Sequence, residues 1–473
     1  MQEASISIEE LAKKTQSVFG AQAIDKRRLP SSQLKKRGLP AYVAEYVLDA
    51  IIPGMGFVTK EEAETVQNWA KTRIPKGDEQ KLVKFRLSQG EIVKILTSVE
   101  TDIKLKRDKQ ETYAKVLDLD DVLISDDLLR SYPALLKQGM WGVVELVKTS
   151  EGVAITSFKP MQATINIELL KQARAEFSLA EWRSLILISM GYNPEAYTTL
   201  EQQEIVMARL LPLVQKNMHL MELAPKGTGK SYLFENISPR VRLISGGNVS
   251  PAVLFVNNSN GQYGLLARFS VLVLDEIQTL KFLQPGEIIG GLKGYLANGK
   301  LTRGGLHEIA SDCGFVMLAN IPLDDNQRPL LDSLVETLPG FLRETAFLDR
   351  IQGIIPGWKI PKLSSNCFAQ SVGLKADFFG DALLALREEL DHDQKAFKRV
   401  KLIGHNPYTR NEDAIRNIAA GMLKILFPHG IFTEDEFRRN CLRPAIEFRQ
   451  IIWDQLYSLD PEYRQYEREL ACE

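Results

Sequence analysis

Between Ala224 and Ser231 the chain reads Ala-Pro-Lys-Gly-Thr-Gly-Lys-Ser, and these residue types at this spacing have a chemistry with phosphate. Gly227 and Gly229, flanked by Pro225, Lys226 and Thr228, let the backbone curl so that successive N–H groups face phosphate oxygens. The helix expected to follow adds the positive end of its dipole. Lys230 is placed to neutralise the β- and γ-phosphates of a nucleotide, and the Ser231 hydroxyl to ligate Mg²⁺. Ala224 stands where the phosphate-loop consensus has glycine. Further on, Val271-Leu-Val-Leu-Asp-Glu276 reads as a buried parallel strand ending in two carboxylates. Asp275 is positioned to hold the magnesium ion through water, and Glu276 to polarise the attacking water as general base. Each string alone has an ordinary structural explanation, a helix start or a solvated strand end. In this order they predict ATP, Mg²⁺ and hydrolysis.

Stepping outward, the chain of 473 residues has room for two or three domains. Its net charge is −1 with 25% charged residues, which excludes a polyelectrolyte. Cys313, Cys367, Cys441 and Cys472 are scattered, without Cys-x-x-Cys or neighbouring histidines. They read as reduced thiols of a cytoplasmic protein. The sequence carries neither a signal-peptide pattern nor an apolar run of spanning length, so no membrane association is expected.

The elements around the phosphate-binding string alternate. Strands are expected at Met221–Leu223, Val241–Ser245, Val271–Leu274 and Gly314–Leu318, giving an α/β core with a parallel sheet and flanking helices over 220–361. A helical connector over 166–219 is expected as Ile167–Phe177, Leu179–Met190 and Leu200–Lys216. Residues 362–473 read as a helical lid region. The first 165 residues read as a basic α+β domain. Residues 1–115 carry 21 Lys and Arg against 16 Asp and Glu, a net of +5. Helices are expected at Tyr42–Ile52 and Glu61–Thr72, then strands at Leu82–Leu87, Glu91–Lys106 and Val143–Val147. Three basic clusters stand out: Lys26-Arg27-Arg28, Lys35-Lys36-Arg37 and the run holding Lys104, Lys106, Arg107 and Lys109. They suit a nucleic-acid-binding module such as an OB-like barrel, with Lys35, Lys36, Arg37, Lys104, Lys106 and Arg107 contacting duplex DNA. For any single cluster a solvated face is the plainer alternative.

Further residues distinguish a ring-forming AAA+ ATPase from other phosphate-loop proteins. Asn320 ends the strand Gly314–Asn320, where a first-sensor amide would bridge the γ-phosphate and the water that Glu276 activates. A strand-end asparagine before Pro322 is the alternative. Arg350, in Phe347-Leu-Asp-Arg350, stands where a finger would reach a neighbour's nucleotide and spread transition-state charge, with Arg343 as competitor. Arg410 is favoured over Arg416 as a second-sensor contact to nucleotide, against a surface helix with paired charges. Asn298-Gly299 signals a hairpin that would project Lys300 and Arg303 toward a central pore and DNA phosphates. A plain surface hairpin is the alternative.

Together these segments resemble the Lon-related AAA+ ATPases of bacterial BREX phage-defence systems. The resemblance is carried by Gly38–Val47, Met190-Gly-Tyr-Asn-Pro-Glu195, Leu223–Ser231, Ile244-Ser-Gly-Gly247, Asp275-Glu276, Gly294–Gly305 and Phe347–Arg350. It implies an N-terminal DNA-binding region, homo-oligomeric rings that are hexameric, single or stacked in pairs, other BREX components as partners, and a role in phage restriction. Longer members continue into a Lon-protease-like domain. Here only Ser458 is a serine past residue 400, so no Ser–Lys dyad can be placed. A naturally short form or a shortened piece fits equally, and proteolysis by this sequence is not expected. Two other functions stay open: a Lon-like protein unfoldase whose pore contact would be Tyr295-Leu296, and a nucleotide-gated DNA scaffold.

Overall fold

The computed structural model describes residues 7–104, 109–161, 165–257, 261–303, 307–404 and 408–473. In the N-terminal part, alternation of apolar and polar residues builds an antiparallel sheet from β1 (Val93–Lys104), β2 (Lys109–Ala114), β3 (Met140–Lys148) and β4 (Val153–Pro160). The order is β2-β1-β3-β4. Along β3, Met140, Val144 and Leu146 face one apolar core with Val93, Ile95 and Val99. Helices Ala41–Ile51 and Lys60–Arg73 stand where helical spacing predicts them and share a second apolar cluster with Leu96.

Two expectations for this region are corrected. Among the described residues this sheet has four strands in an open order, one short of the five-stranded OB-like barrel. Leu82–Leu87 is not a strand: it lies in the helix Asp78–Ser88. Val83 and Leu87, four residues apart, turn inward together, whereas Leu82 and Phe85 are exposed. Gly77 and the acidic first turn Asp78-Glu79 start that helix.

The main core holds the α/β unit. Strands β5 (His219–Ala224), β6 (Val241–Ser245), β7 (Val271–Asp275), β8 (Gly314–Asn320) and β9 (Gly353–Pro356) pair in the order β9-β5-β8-β7-β6. Every neighbouring pair is parallel. Every residue of β5 and β7 is buried, as helices on both faces require. The chain leaves β5 for the far edge, returns to its side through β7 and β8, then adds β9 on its other side. The loop after β5 therefore sits at the topological switch point, where open parallel sheets place ligands.

The connector is part of this same core rather than a separate layer. Helices Ile167–Ala175 and Leu179–Ser189 form as expected. The third predicted helix divides into Leu200–Ala208 and Leu211–Val214, with Pro212 at the start of the second. The N-terminal boundary also moves. Phe19, at the end of helix Ile8–Phe19, packs on Phe177, Trp182 and Phe378, and Ala23–Asp25 pairs antiparallel with Val372–Leu374. Residues 8–25 thus belong with the main core, not with the basic domain. Past Ala376 the chain is mostly helical, apart from Leu402–Ile403 paired antiparallel with Ala471–Cys472, and Thr409–Leu426 and Arg443–Leu459 share that core with the sheet. Among the described residues no helix is long and apolar enough to cross a membrane.

Candidate active site

The loop after β5 turns on two glycines with left-handed backbone, Gly227 at φ +86° and Gly229 at φ +74°. A Cβ on Gly227 would meet no atom within 4 Å, so the outer side of the loop is open to a ligand. A Cβ on Gly229 would lie 2.6 Å from Leu363 Cδ1, so a larger residue there would have to displace that leucine's tip as well as adopt the left-handed backbone.

Lys230 begins the helix Lys230–Asn236 and is buried. Its ammonium donates to Asn320 Oδ1 at 2.9 Å and to the Pro225 carbonyl at 3.1 Å. The register pairing Asn320 with Ala224 puts the amide beside the start of the loop. Burial lowers the Lys230 pKa, partly offset by the Glu222, Asp275 and Glu276 carboxylates. Next along the helix, Ser231 Oγ donates to Asp275 Oδ2 at 2.6 Å. Asp275 Oδ1 accepts the Glu276 N–H at 2.9 Å, and the Glu276 side chain is exposed. Glu276 holds φ +46°, a conformation that costs a non-glycine residue about 1 kcal/mol or more. A serine hydroxyl and a carboxylate already in contact are the hard oxygen donors a magnesium ion takes, so these residues fit the ion. The structure thus gathers Lys230, Ser231, Asp275, Glu276 and Asn320 at one end of the sheet.

Arg350 lies at the other end. It precedes β9, which runs parallel to β5, so it is separated from its own phosphate loop by the length of the strands. Its Nη1 donates to the Ala346 carbonyl, and Arg343 is exposed at the end of the turn Gly340–Arg343. Arg410 is a correction: it pairs with Asp349, at Arg350's end of the sheet, and does not reach the phosphate loop of its own chain. Asp349 is wholly buried and captures it. The same carboxylate accepts from Arg449 Nη2 at 2.9 Å and Tyr408 Oη at 3.0 Å. Arg416 pairs along its own helix with Glu412 and Asp413.

Most of the N-terminal basic residues are engaged within the fold. Lys26 pairs with Glu45 at 2.9 Å in a buried contact, Arg27 with Asp25 at 2.6 Å, and Arg28 with Glu62 at 3.3 Å. One expected DNA contact is corrected on the same ground. Arg37, its side chain buried, reaches Glu79 at 2.5 Å, whereas Lys35 is exposed and donates to Tyr232 Oη at 2.9 Å, on the helix that follows the phosphate loop. Lys36 stays exposed. Lys106 and Arg107 lie outside the described residues, as do the side chains of Lys104 and Arg303.

The hairpin exists, though not with the expected turn. Lys300–Arg303 pairs with His307–Ala310, whereas Asn298 ends the helix Pro285–Asn298 and Gly299, at φ +69°, caps it. Lys300 is half exposed and reaches Glu308 across the hairpin at 2.5 Å.

Sequence reasoning missed Arg209, Glu222 and Tyr192 beneath the loop, and the Asp349–Arg449 pair. One signal was present: Glu222 is a carboxylate inside an otherwise apolar strand, which demands a buried partner.

Strand order, phosphate loop, strand-end carboxylates and the Asn320 amide define an AAA+ phosphate-loop core. The chain belongs to the BrxL family of BREX-system, Lon-like proteins. Residues 153–469 match the family model described as Lon-like protease BrxL-like, ATPase domain. Residues 17–147 match the BREX system Lon protease-like protein BrxL N-terminal model. The chain is 29% identical over 441 residues to the Lon-like protease BrxL of Escherichia coli O9:H4 (strain HS), covering 91% of this chain and 62% of that protein. It is 28% identical over 435 residues to the Lon-like protease BrxL of Bacillus cereus (strain H3081.97), covering 88% and 62%. The chain therefore spans less than two thirds of the length of these curated relatives.

Proposed function

We propose that this chain hydrolyses ATP with magnesium in an oligomeric ring and couples turnover to duplex DNA in anti-phage defence. The observation that carries the ATPase reading is Ser231 Oγ at 2.6 Å from Asp275 Oδ2, beside the Lys230–Asn320 contact at 2.9 Å. Ser231 and Asp275 would hold the magnesium ion, which supplies charge neutralisation at the phosphates. Lys230 and the loop amides orient the nucleotide, Asn320 and Glu276 orient the attacking water, and Glu276 takes its proton. Arg350, at the far end of the sheet from its own loop, is of use to the chemistry only at a neighbour's site. That supports a ring with active sites between subunits.

Support for DNA comes from the +5 balance of residues 1–115, the exposed Lys36, the 104–107 run and the hairpin bearing Lys300 and Arg303. The relatives' description as Lon-like proteases raises a polypeptide client as the other reading. Its pore-contact candidate, Tyr295-Leu296, is buried, with Tyr295 Oη donating to the Cys313 carbonyl at 2.5 Å. That observation favours DNA. The test is steady-state ATP hydrolysis with and without duplex DNA. Turnover that rises with DNA supports the coupling, and turnover indifferent to it removes DNA from the proposal.

A further inference from the structure

Three successive carbonyls of the phosphate loop accept hydrogen bonds from outside it. The Gly227 carbonyl accepts the Leu363 N–H at 2.7 Å, the Thr228 carbonyl accepts Arg209 Nη2 at 3.2 Å, and the Gly229 carbonyl accepts Tyr192 Oη at 3.3 Å. Peptide planes are rigid, so fixing a carbonyl on one side fixes the attached N–H toward the other. We propose that Arg209 and Tyr192 are positioning residues that hold these carbonyls inward and so keep the loop amides aimed at phosphate. This rests on the nucleotide-binding reading above.

The arrangement beneath the loop is built for direction. Arg209 is wholly buried, and besides the loop carbonyl its fork makes three hydrogen bonds to two residues. Nε donates to Glu222 Oε2 at 3.0 Å, Nη2 to Glu222 Oε1 at 2.7 Å, and Nη1 to Tyr192 Oη at 3.2 Å. Such a pair is expensive to desolvate, and apolar residues of like volume often give equal stability, so orientation is the better account of its presence. Glu222 lies on β5 itself, which ties the arginine to the strand that delivers the loop. Tyr192 keeps its proton for donation, because burial pushes its phenol up to about 12. Its ring also packs edge-on against Tyr232, two residues past Lys230, with centroids 6.1 Å apart.

Tyr192→Phe deletes one oxygen and is the first variant to make. Losing one neutral hydrogen bond should raise KM for ATP about fivefold while kcat changes less than about twofold. In the nucleotide-free chain, amide hydrogen exchange in the segment 227–231 should speed up by a similar factor, with exchange in β7 and β8 unaltered. The double variant Arg209→Met with Glu222→Met leaves no unpaired buried charge and should move both readouts further in the same direction. Wild-type KM together with wild-type loop exchange in Tyr192→Phe would overturn the proposal, as would faster exchange spread evenly over the whole sheet. If the wild-type chain binds no nucleotide, the functional reading fails, and loop exchange in the nucleotide-free chain still decides the positioning.

Discussion

Asp349 and Arg449 form an ion pair with neither side chain exposed, Oδ1 to Nη2 at 2.9 Å. The same guanidinium donates to the carbonyls of Asp349 at 3.2 Å and Ile351 at 2.7 Å, the two residues flanking Arg350. The helix Arg443–Leu459 thereby fixes the backbone that carries the candidate finger. Asp349→Ala would leave a buried guanidinium short of its counter-charge. It should destabilise the chain by about 3–5 kcal/mol in denaturant unfolding. A midpoint unchanged from wild type would show the pair to be dispensable.

If Arg350 serves a neighbour's nucleotide, two defective chains should repair one another. Arg350→Ala keeps its own phosphate loop, and Lys230→Ala keeps its own finger. Each alone should lose turnover by about 10³-fold, and mixing them should restore a measurable fraction. Mixtures no more active than the separate variants would remove Arg350 from a site between subunits.

The metal-binding pair makes a separate prediction. Asp275→Asn should lower hydrolysis by about 100-fold or more and flatten its dependence on added magnesium, with the chain still folded by circular dichroism. A variant with wild-type magnesium dependence would place the ion elsewhere.

For DNA, the hairpin lysine and arginine carry the prediction. Lys300→Ala combined with Arg303→Ala should weaken duplex binding and reduce the slope of log K against log salt by about one to two. A slope unaltered by the double variant would remove the hairpin from DNA binding.

Acid titration offers a check on the packing of the C-terminal helices. Burial, aided by the Glu45 carboxylate, pushes Asp377 up to about 6, against the pull of the Phe378 amide and Lys375. The folded chain therefore favours the protonated acid. Its contribution to stability is complete below the ordinary value of 3.8 and is lost as pH rises through about 6. Asp377→Asn, neutral throughout, should gain on the order of 1 kcal/mol over wild type above pH 6 and nothing below pH 4. An equal difference at both pH values would assign the effect to something other than ionisation.

How far the sequence speaks depends on what the chemistry demands of neighbours in the chain. Phosphate binding needs glycines, a lysine and a hydroxyl in one short string, and the magnesium and water carboxylates need a strand end, so Lys230, Ser231, Asp275 and Glu276 were legible. Asn298-Gly299 was legible as a site of positive φ only. A hairpin turn and a helix cap both ask for that conformation, and here the cap is what forms. The run Leu82–Leu87 satisfied alternation and i,i+4 spacing together, and packing against the sheet chose the helix. Arg37 and Arg410 find partners distant in sequence: Arg37 meets Glu79 across 42 positions and Arg410 meets Asp349 across 61.

The most direct test of the account is steady-state ATP hydrolysis by the wild-type chain and by Glu276→Gln, with ATP binding measured on the same preparations. The account predicts that the variant binds ATP as wild type does and hydrolyses it at least about 100-fold more slowly. Hydrolysis by Glu276→Gln at the wild-type rate would contradict it.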